Sequence, residues 1–135
     1  MAEFTGKNMY MQWVYSGGTV SLEDDFRTFS WNPSKTLHDA TAGSDPAQHQ
    51  IVGIENASAA IGLIAQAGGT AVIAALAFGN YGTLTVGVEG TATGKPKIIL
   101  PAMAQGAVIS APYEDVVEIA CDFMQDGTAY TEGSW

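Results

Sequence analysis

The sequence predicts a mainly β protein of the sandwich or barrel type, with one short α-helix near residues 70–78 and one long loop near residues 33–48. Three observations carry this. Residues 83–89 alternate strictly, with Leu84, Val86 and Val88 on one side and Thr83, Thr85, Gly87 and Glu89 on the other, the period of a half-buried strand. Other short runs rich in aromatic and β-branched residues are separated by Gly, Pro and Asn at turn-like intervals. Good helix formers gather at one place, AVIAALA, behind Thr70 as N-cap and ahead of Gly79 as terminator.

Taken in order, YMQWVY at 10–15 and the extended chain at 19–22 flank a Ser-Gly-Gly turn and predict a hairpin. FRTFSW at 26–31 predicts a third strand, ended by Asn32-Pro33. The stretch 33–48 is rich in turn formers and has no sustained apolar period. A connection of this length in a small domain usually binds or interlocks with something, although a plain surface loop accounts for it equally well. Within it, DATAG at 39–43 has the residues to cap one short turn.

HQIVGI at 49–54 and residues 59–65 read as apolar strands around a Glu55-Asn56 turn. The helix that follows is about two turns, roughly 12 Å, and its apolar residues cover nearly all faces, which predicts a position sandwiched between layers or packed on a sheet. Beyond strand 83–89, residues 98–100 and 107–111 give two more strands, with a turn at Gln105-Gly106.

The C-terminal stretch from Pro112 carries six acids, Glu114, Asp115, Glu118, Asp122, Asp126 and Glu132, with no Lys or Arg after Lys97. Residues 114, 118, 122 and 126 share a face at helical spacing and also at strand spacing. What lies between favours the strand, because Val117, Ile119, Cys121 and Phe123 then form one apolar face and three of the neighbouring residues are β-branched.

Composition narrows the function. At 135 residues with 47% hydrophobic and 14% charged residues, the chain is one domain able to bury a core. Its net charge of −9 argues against tight nucleic-acid binding, which needs clustered cations to displace counterions from phosphates. The single cysteine excludes an intrachain disulfide and multi-cysteine zinc patterns, and the start MAEFTGKNMYMQ lacks the apolar run of a signal peptide, so a reducing cytoplasm is expected. The 23 uncharged residues 57–79 have the length of a membrane span, but a Gly68-Gly69 break and the absence of flanking Lys or Arg point to buried strand, turn and helix.

Catalytic signals fail on inspection. GTATGKPK at 90–97 has three residues between its glycines where a phosphate loop needs four, and Pro96 stands where Ser or Thr belongs. His38 and His49 lack metalloprotease spacing, no GxSxG elbow is present, and Glu114 with Glu118 looks like part of a row rather than an isolated acid pair. No catalytic residue, metal ligand or cofactor is expected, and the chain is read as a non-enzyme.

The downstream half resembles that of tail tube proteins (major tail proteins) of long-tailed bacteriophages. The matching features are Gly79, Gly82, Thr83 and Leu84 at the end of the helix and start of a strand, Gly90, Gly94, Lys95 and Pro96, the Pro112-Tyr113-Glu114-Asp115 turn, and a last apolar strand ending at Asp126-Gly127. Upstream, FRTFSWNPSKTLHDATAGSDP is similar to the family's strand and loop with a D-x-T-x-G motif, here Asp39, Thr41 and Gly43. The resemblance implies a β subunit that forms sixfold rings stacked into a tube, each copy adding strands to a barrel around the channel. It implies a ring-stacking role for the loop, with Pro33, Lys35, His38, Asp39, Thr41, Asp45 and Gln48 as its candidate residues, and an arm at residues 1–9. Implied partners are further copies of the chain, the tape-measure, tail-terminator and tail-tip proteins, and double-stranded DNA passing without specific binding; no membrane is implied. The location implied is the virion tail, assembled in the bacterial cytoplasm.

An acidic wall suits a conduit, since carboxylates repel phosphates where lysines would hold them. Glu118, Asp122, Asp126 and Glu89 are the candidate channel-facing acids, with a solvated outer face as the other reading of the same residues. Alternatives for the whole chain are another virion subunit, such as a connector or decoration protein, or a monomeric ligand-binding β-sandwich.

Overall fold

Alternating sequence becomes alternating burial in the computed structural model, which describes residues 9–23, 26–65 and 70–135. The expected N-terminal arm at 1–9 lies outside the described residues except for Met9. Among the described residues eleven strands and one helix follow in the order β1 (Tyr10–Tyr15), β2 (Gly18–Ser21), β3 (Phe26–Asn32), β4 (Lys35–Asp39), β5 (Gln50–Glu55), β6 (Ser58–Ile64), α1 (Thr70–Ala75), β7 (Tyr81–Gly87), β8 (Pro96–Ala104), β9 (Val108–Ser110), β10 (Glu118–Gln125) and β11 (Thr131–Ser134).

Nine of these strands form one antiparallel sheet in the order β2-β1-β7-β8-β10-β6-β3, with β11 added beside β8 and β9 beside β10. On β10, Ile119, Cys121 and Phe123 are buried while Ala120 and Asp122 are exposed, so Glu118 and Asp122 sit on a strand and not a helix. Strand β6 alternates the same way, burying Ala59, Ile61 and Leu63. From β1, β7 and β8 come Met11, Trp13, Leu84, Val86, Leu100, Ala102 and Ala104.

These buried faces meet because the sheet curls on itself. Strands β1 and β10 are separated by β7 and β8 in the hydrogen-bonded order, which would hold them about 14 Å apart in a flat sheet. Yet the Trp13 and Phe123 rings lie 4.7 Å apart between centroids, tilted by 46°. The curl turns one sheet into two facing layers around a common core, the sandwich-like form the sequence predicts.

The helix is shorter than expected. Beyond Ala75 the Asn80 side-chain amide donates to the carbonyls of Ala74 and Ala75, at 3.0 and 3.1 Å, and Gly79 takes a positive φ, so the chain turns out of helical geometry before residue 78. Of the two expected positions the sandwiched one does not hold, because burial is one-sided: Ala75 and Leu76 are buried and Val72 is half-buried, while Ile73 and Ala74 face outward. The indole Nε1 of Trp13 donates to the Ala75 carbonyl at 2.9 Å and ties this helix end to the core.

Two strands were not foreseen. The sequence TEGS has no apolar residue, and β11 exists because it pairs along β8, with Thr131 opposite Ile99 and Ser134 opposite Pro96. Trp135 then locks its end. Its backbone exchanges hydrogen bonds with Lys95 and Gly94, its Nε1 donates to the Pro96 carbonyl, and its ring packs against Tyr10 and beneath the Lys97 ammonium. Strand β4 occupies the first part of the expected long loop and pairs with β5 as a separate two-stranded sheet, which narrows the loop to residues 40–49.

Pro101 sits inside β8, where a missing N–H would normally break a ladder. Its carbonyl accepts from the Asp126 N–H, so its nitrogen faces the same side, and that side is where the partner of β8 changes from β11 to β10. The proline therefore falls at a gap between ladders.

Candidate assembly surfaces

Two features of the molecule face outward in ways that its own packing does not account for. The first is the outer face of the layer β9-β10-β6-β3. The register places Ser30, Ala60 and Asp122 in one row across three strands, and Thr28, Gly62 and Ala120 in the next. All of these side chains are small apart from Asp122, which gives a smooth surface. At Gly62 a Cβ would press on the Thr28 hydroxyl as it is placed, so glycine lets these two strands sit with that side chain between them.

Glu118 lies on the same face of β10 and forms an ion pair with Arg27 of β3, reaching across β6. Both side chains are about half exposed, 48% and 46%, so the pair acts mainly by cancelling charge and adds little to stability. Asp122 is exposed and is left as the carboxylate of this face without an ion-pair partner among the described residues.

The other candidate acids lie elsewhere. Asp126 is past the end of β10, in a turn, where its Oδ1 accepts the Thr128 N–H at 2.9 Å. Glu89 belongs to the β7–β8 connection and pairs with Lys95 at 2.9 Å. The fourth-residue spacing of the sequence thus breaks into separate environments, with Glu118 and Asp122 alone sharing a strand. Cys121, between them in sequence, points into the core, and burial pushes its thiol up to about 11.

The layer has two open edges: among the described residues β3 pairs only with β6 and β9 only with β10. Strand β9 is exposed throughout, with Val108 67% and Ile109 50% accessible. Apolar open edges are templates for pairing with another chain.

The second feature is an arm made of β4 and β5. Lys35, Leu37, His38 and Asp39 stand opposite Glu55, Val52, Ile51 and Gln50. Leu37, Val52 and Ile54 share one face and are 59%, 58% and 79% exposed. Such a hairpin is marginal alone in water, and an apolar face of this kind is suited to another surface. The His38 ring covers Gly53 on the other face, where a Cβ would meet its Nε2 at 2.7 Å.

The tip of the arm is closed by side chains of the D-x-T-x-G segment. The Asp39 Oδ1 accepts from the N–H and hydroxyl of Thr41, at 3.0 and 2.6 Å, and the Thr41 Oγ1 accepts the His49 N–H at 2.8 Å. These bonds, the hydroxyl's first, hold the Asp39 carboxyl below its ordinary range. The Asp45 Oδ2 accepts the Ala42 N–H at 2.7 Å. Thus Lys35, His38 and Asp39 are strand residues, Thr41 and Asp45 staple the tip, and Pro33 and Gln48 are exposed flanks. Sequence reasoning missed the apolar face of the arm, although the alternation of Val52 with Ile54 was its visible signal.

Among the described residues no group of three or more His, Cys, Asp or Glu side chains is arranged to hold a metal ion, and no helix is long and apolar enough to cross a membrane.

No family profile matches the sequence, and no curated protein matches it. Solved structures match its fold along nearly the whole chain. The tail of an empty gene transfer agent particle, refined with C6 symmetry, superposes with a TM-score of 0.70 at 11% identity, covering 98% of this chain and all of that one. The SPP1 tail tube gives 0.69 at 12% identity, covering 98% of this chain and 80% of its own. The anti-feeding prophage baseplate gives 0.60 at 8% identity over 99% and 97%. The chain shares the fold of these tail proteins.

Proposed function

We propose that this chain is a structural virion protein, the subunit of a tail tube, whose copies join side by side into sixfold rings that stack around a channel for DNA. The observation that carries the reading is the end-to-end likeness of fold to tail subunits, one of them in a C6-symmetric tail. The open edges fit it. If the β3 edge of one copy meets the β9 edge of the next, six copies each contribute the layer β9-β10-β6-β3 to one closed barrel, and closure removes the edges.

In that ring the outer face of the layer becomes the channel wall. Ala60, Gly62 and Ala120 offer no polar side chain to a base or sugar and Ser30 only one short hydroxyl, and Asp122 repeated around the ring repels phosphates. The repulsion reaches about 8 Å at physiological ionic strength, enough to keep a sliding duplex off the wall. The arm supplies contact between copies through Leu37, Val52 and Ile54. Tape-measure, terminator and tip proteins are the further partners of such a tube, which is built in the host cytoplasm and ends in the virion. The likeness to a baseplate favours a second reading, a ring at the end of a tail rather than along it.

Electron microscopy of the concentrated protein tests the proposal. Hollow filaments or sixfold rings are expected; a monomer at high concentration would overturn it.

A further inference from the structure

The arm leaves the body through a narrow base, and the question is what sets its direction. Among the described residues, strands β4 and β5 pack extensively only against each other. Beside their base lies a cleft of about 300 Å³ lined by Ile54, Glu55, Gln125, Gly127 and Ala129. With no bulky side chain wedged there, apolar packing does not fix the angle. Hydrogen bonds do, and they converge on one side chain.

Gln125 is the last residue of β10. Its Nε2 donates to Glu55 Oε1 at 2.9 Å and to the Thr128 carbonyl at 2.8 Å, and its Oε1 accepts the Ala57 N–H at 3.0 Å. Its backbone N–H also donates to the Ala57 carbonyl at 3.1 Å. The amide can sit only this way round, since a flip would turn its oxygen toward a carboxylate and a carbonyl. Glu55 is in turn 3.6 Å from the Lys35 ammonium on the opposite strand, and the Asn56 N–H donates to the Ser34 carbonyl at 2.6 Å. Glu55 also accepts from the Tyr130 backbone N–H, so both strands of the arm are referred, through Glu55, to the body, where Gln125 supplies the side-chain partner.

We infer that Gln125 is the positioning residue of the arm: through Glu55 it sets the direction in which the hairpin leaves the body, and so prepares the arm for its contact with a second copy. This rests on the reading of the arm as an assembly contact. An arm held in place before assembly loses less freedom on binding than one that must be ordered at that moment.

Four single variants and one double variant of the chain test it, with the critical protein concentration for tube or ring formation as readout. Gln125→Met keeps length and removes the amide; Glu55→Leu removes its acceptor; Glu55→Gln keeps an acceptor oxygen. We expect Gln125→Met and Glu55→Leu each to raise the critical concentration by roughly tenfold, while the melting temperature of the unassembled subunit falls by no more than about 5 °C. The two together should be no worse than either, because they break the same link. Glu55→Gln should assemble within about twofold of the parent. Val52→Asp, on the apolar face of the arm, reports on the underlying reading. Gln125→Met assembling at the parent's concentration while Val52→Asp blocks assembly would overturn the positioning role alone. Val52→Asp assembling like the parent would overturn the arm as an assembly contact.

Discussion

Cys121 and Asp122 are neighbours in sequence with opposite surroundings, and each surrounding dictates a test. The thiol is 2% exposed, and with its pKa raised to about 11 by burial it is essentially all protonated at neutral pH. A thiol reagent at pH 8 should label it only as fast as the protein opens, and at the full rate in denaturant. Phe123, fully buried against Trp13, should cost about 3–5 kcal/mol on replacement by Ala, read by urea unfolding. On the outward face the expectations reverse. Arg27→Gln should change stability by less than about 1 kcal/mol, because the Arg27–Glu118 pair is half exposed. On the tube reading, Asp122→Lys should leave assembly intact and impair DNA delivery, since it puts a cation where phosphates pass; unchanged delivery would place Asp122 outside the channel.

At the scale of elements, the arm has a pH dependence whose sign is fixed by Glu55. The hydrogen bond from Gln125, outweighing partial desolvation and aided by Lys35, holds this carboxyl below its ordinary 4.5. The charged form is the one the folded arm prefers, so its contribution is complete above pH 4.5 and is lost as pH falls through the lower folded-state value. Amide exchange of Ile51 and Val52, relative to that of Leu100 in the core, should therefore hold steady from pH 7 to 5 and accelerate below pH 4. The element scale also explains what was legible in sequence. Strand β7 and strand β10 have one buried and one open face, so period two was written in them. Strand β4 has both faces open and β11 has no apolar residue, so neither carries a pattern that a core would have imposed. The helix was legible in type, but its end was set by Asn80 reaching back from outside it.

At the scale of the molecule, the curl of the main sheet brings Trp13 to Phe123 and leaves a layer with two open edges and an arm with an open apolar face. On the tube reading, these open features would meet their counterparts in a second copy. The acid row shows how the scales interact. Read along the chain, Glu118, Asp122 and Asp126 form one series with Glu89 apart. In the fold, Glu118 is neutralised by Arg27, Asp126 is consumed by its turn, Glu89 by Lys95, and Asp122 is left to face outward. On the tube reading, an acidic wall would therefore rest on fewer of these residues than the charge count implies.

What the sequence determined by itself was the β architecture, the apolar faces of β7 and β10, the place of the helix and the acidity of the chain. Each of these is a local property, fixed by residue type and spacing. What the tertiary structure decided was the pairing of strands far apart in sequence, the conversion of the first part of a loop into a strand of an arm, and which acids meet a cation. These depend on partners 6 to 91 residues away, such as Lys95 for Glu89 and Arg27 for Glu118, and no periodicity in a single segment encodes a partner that only folding brings near.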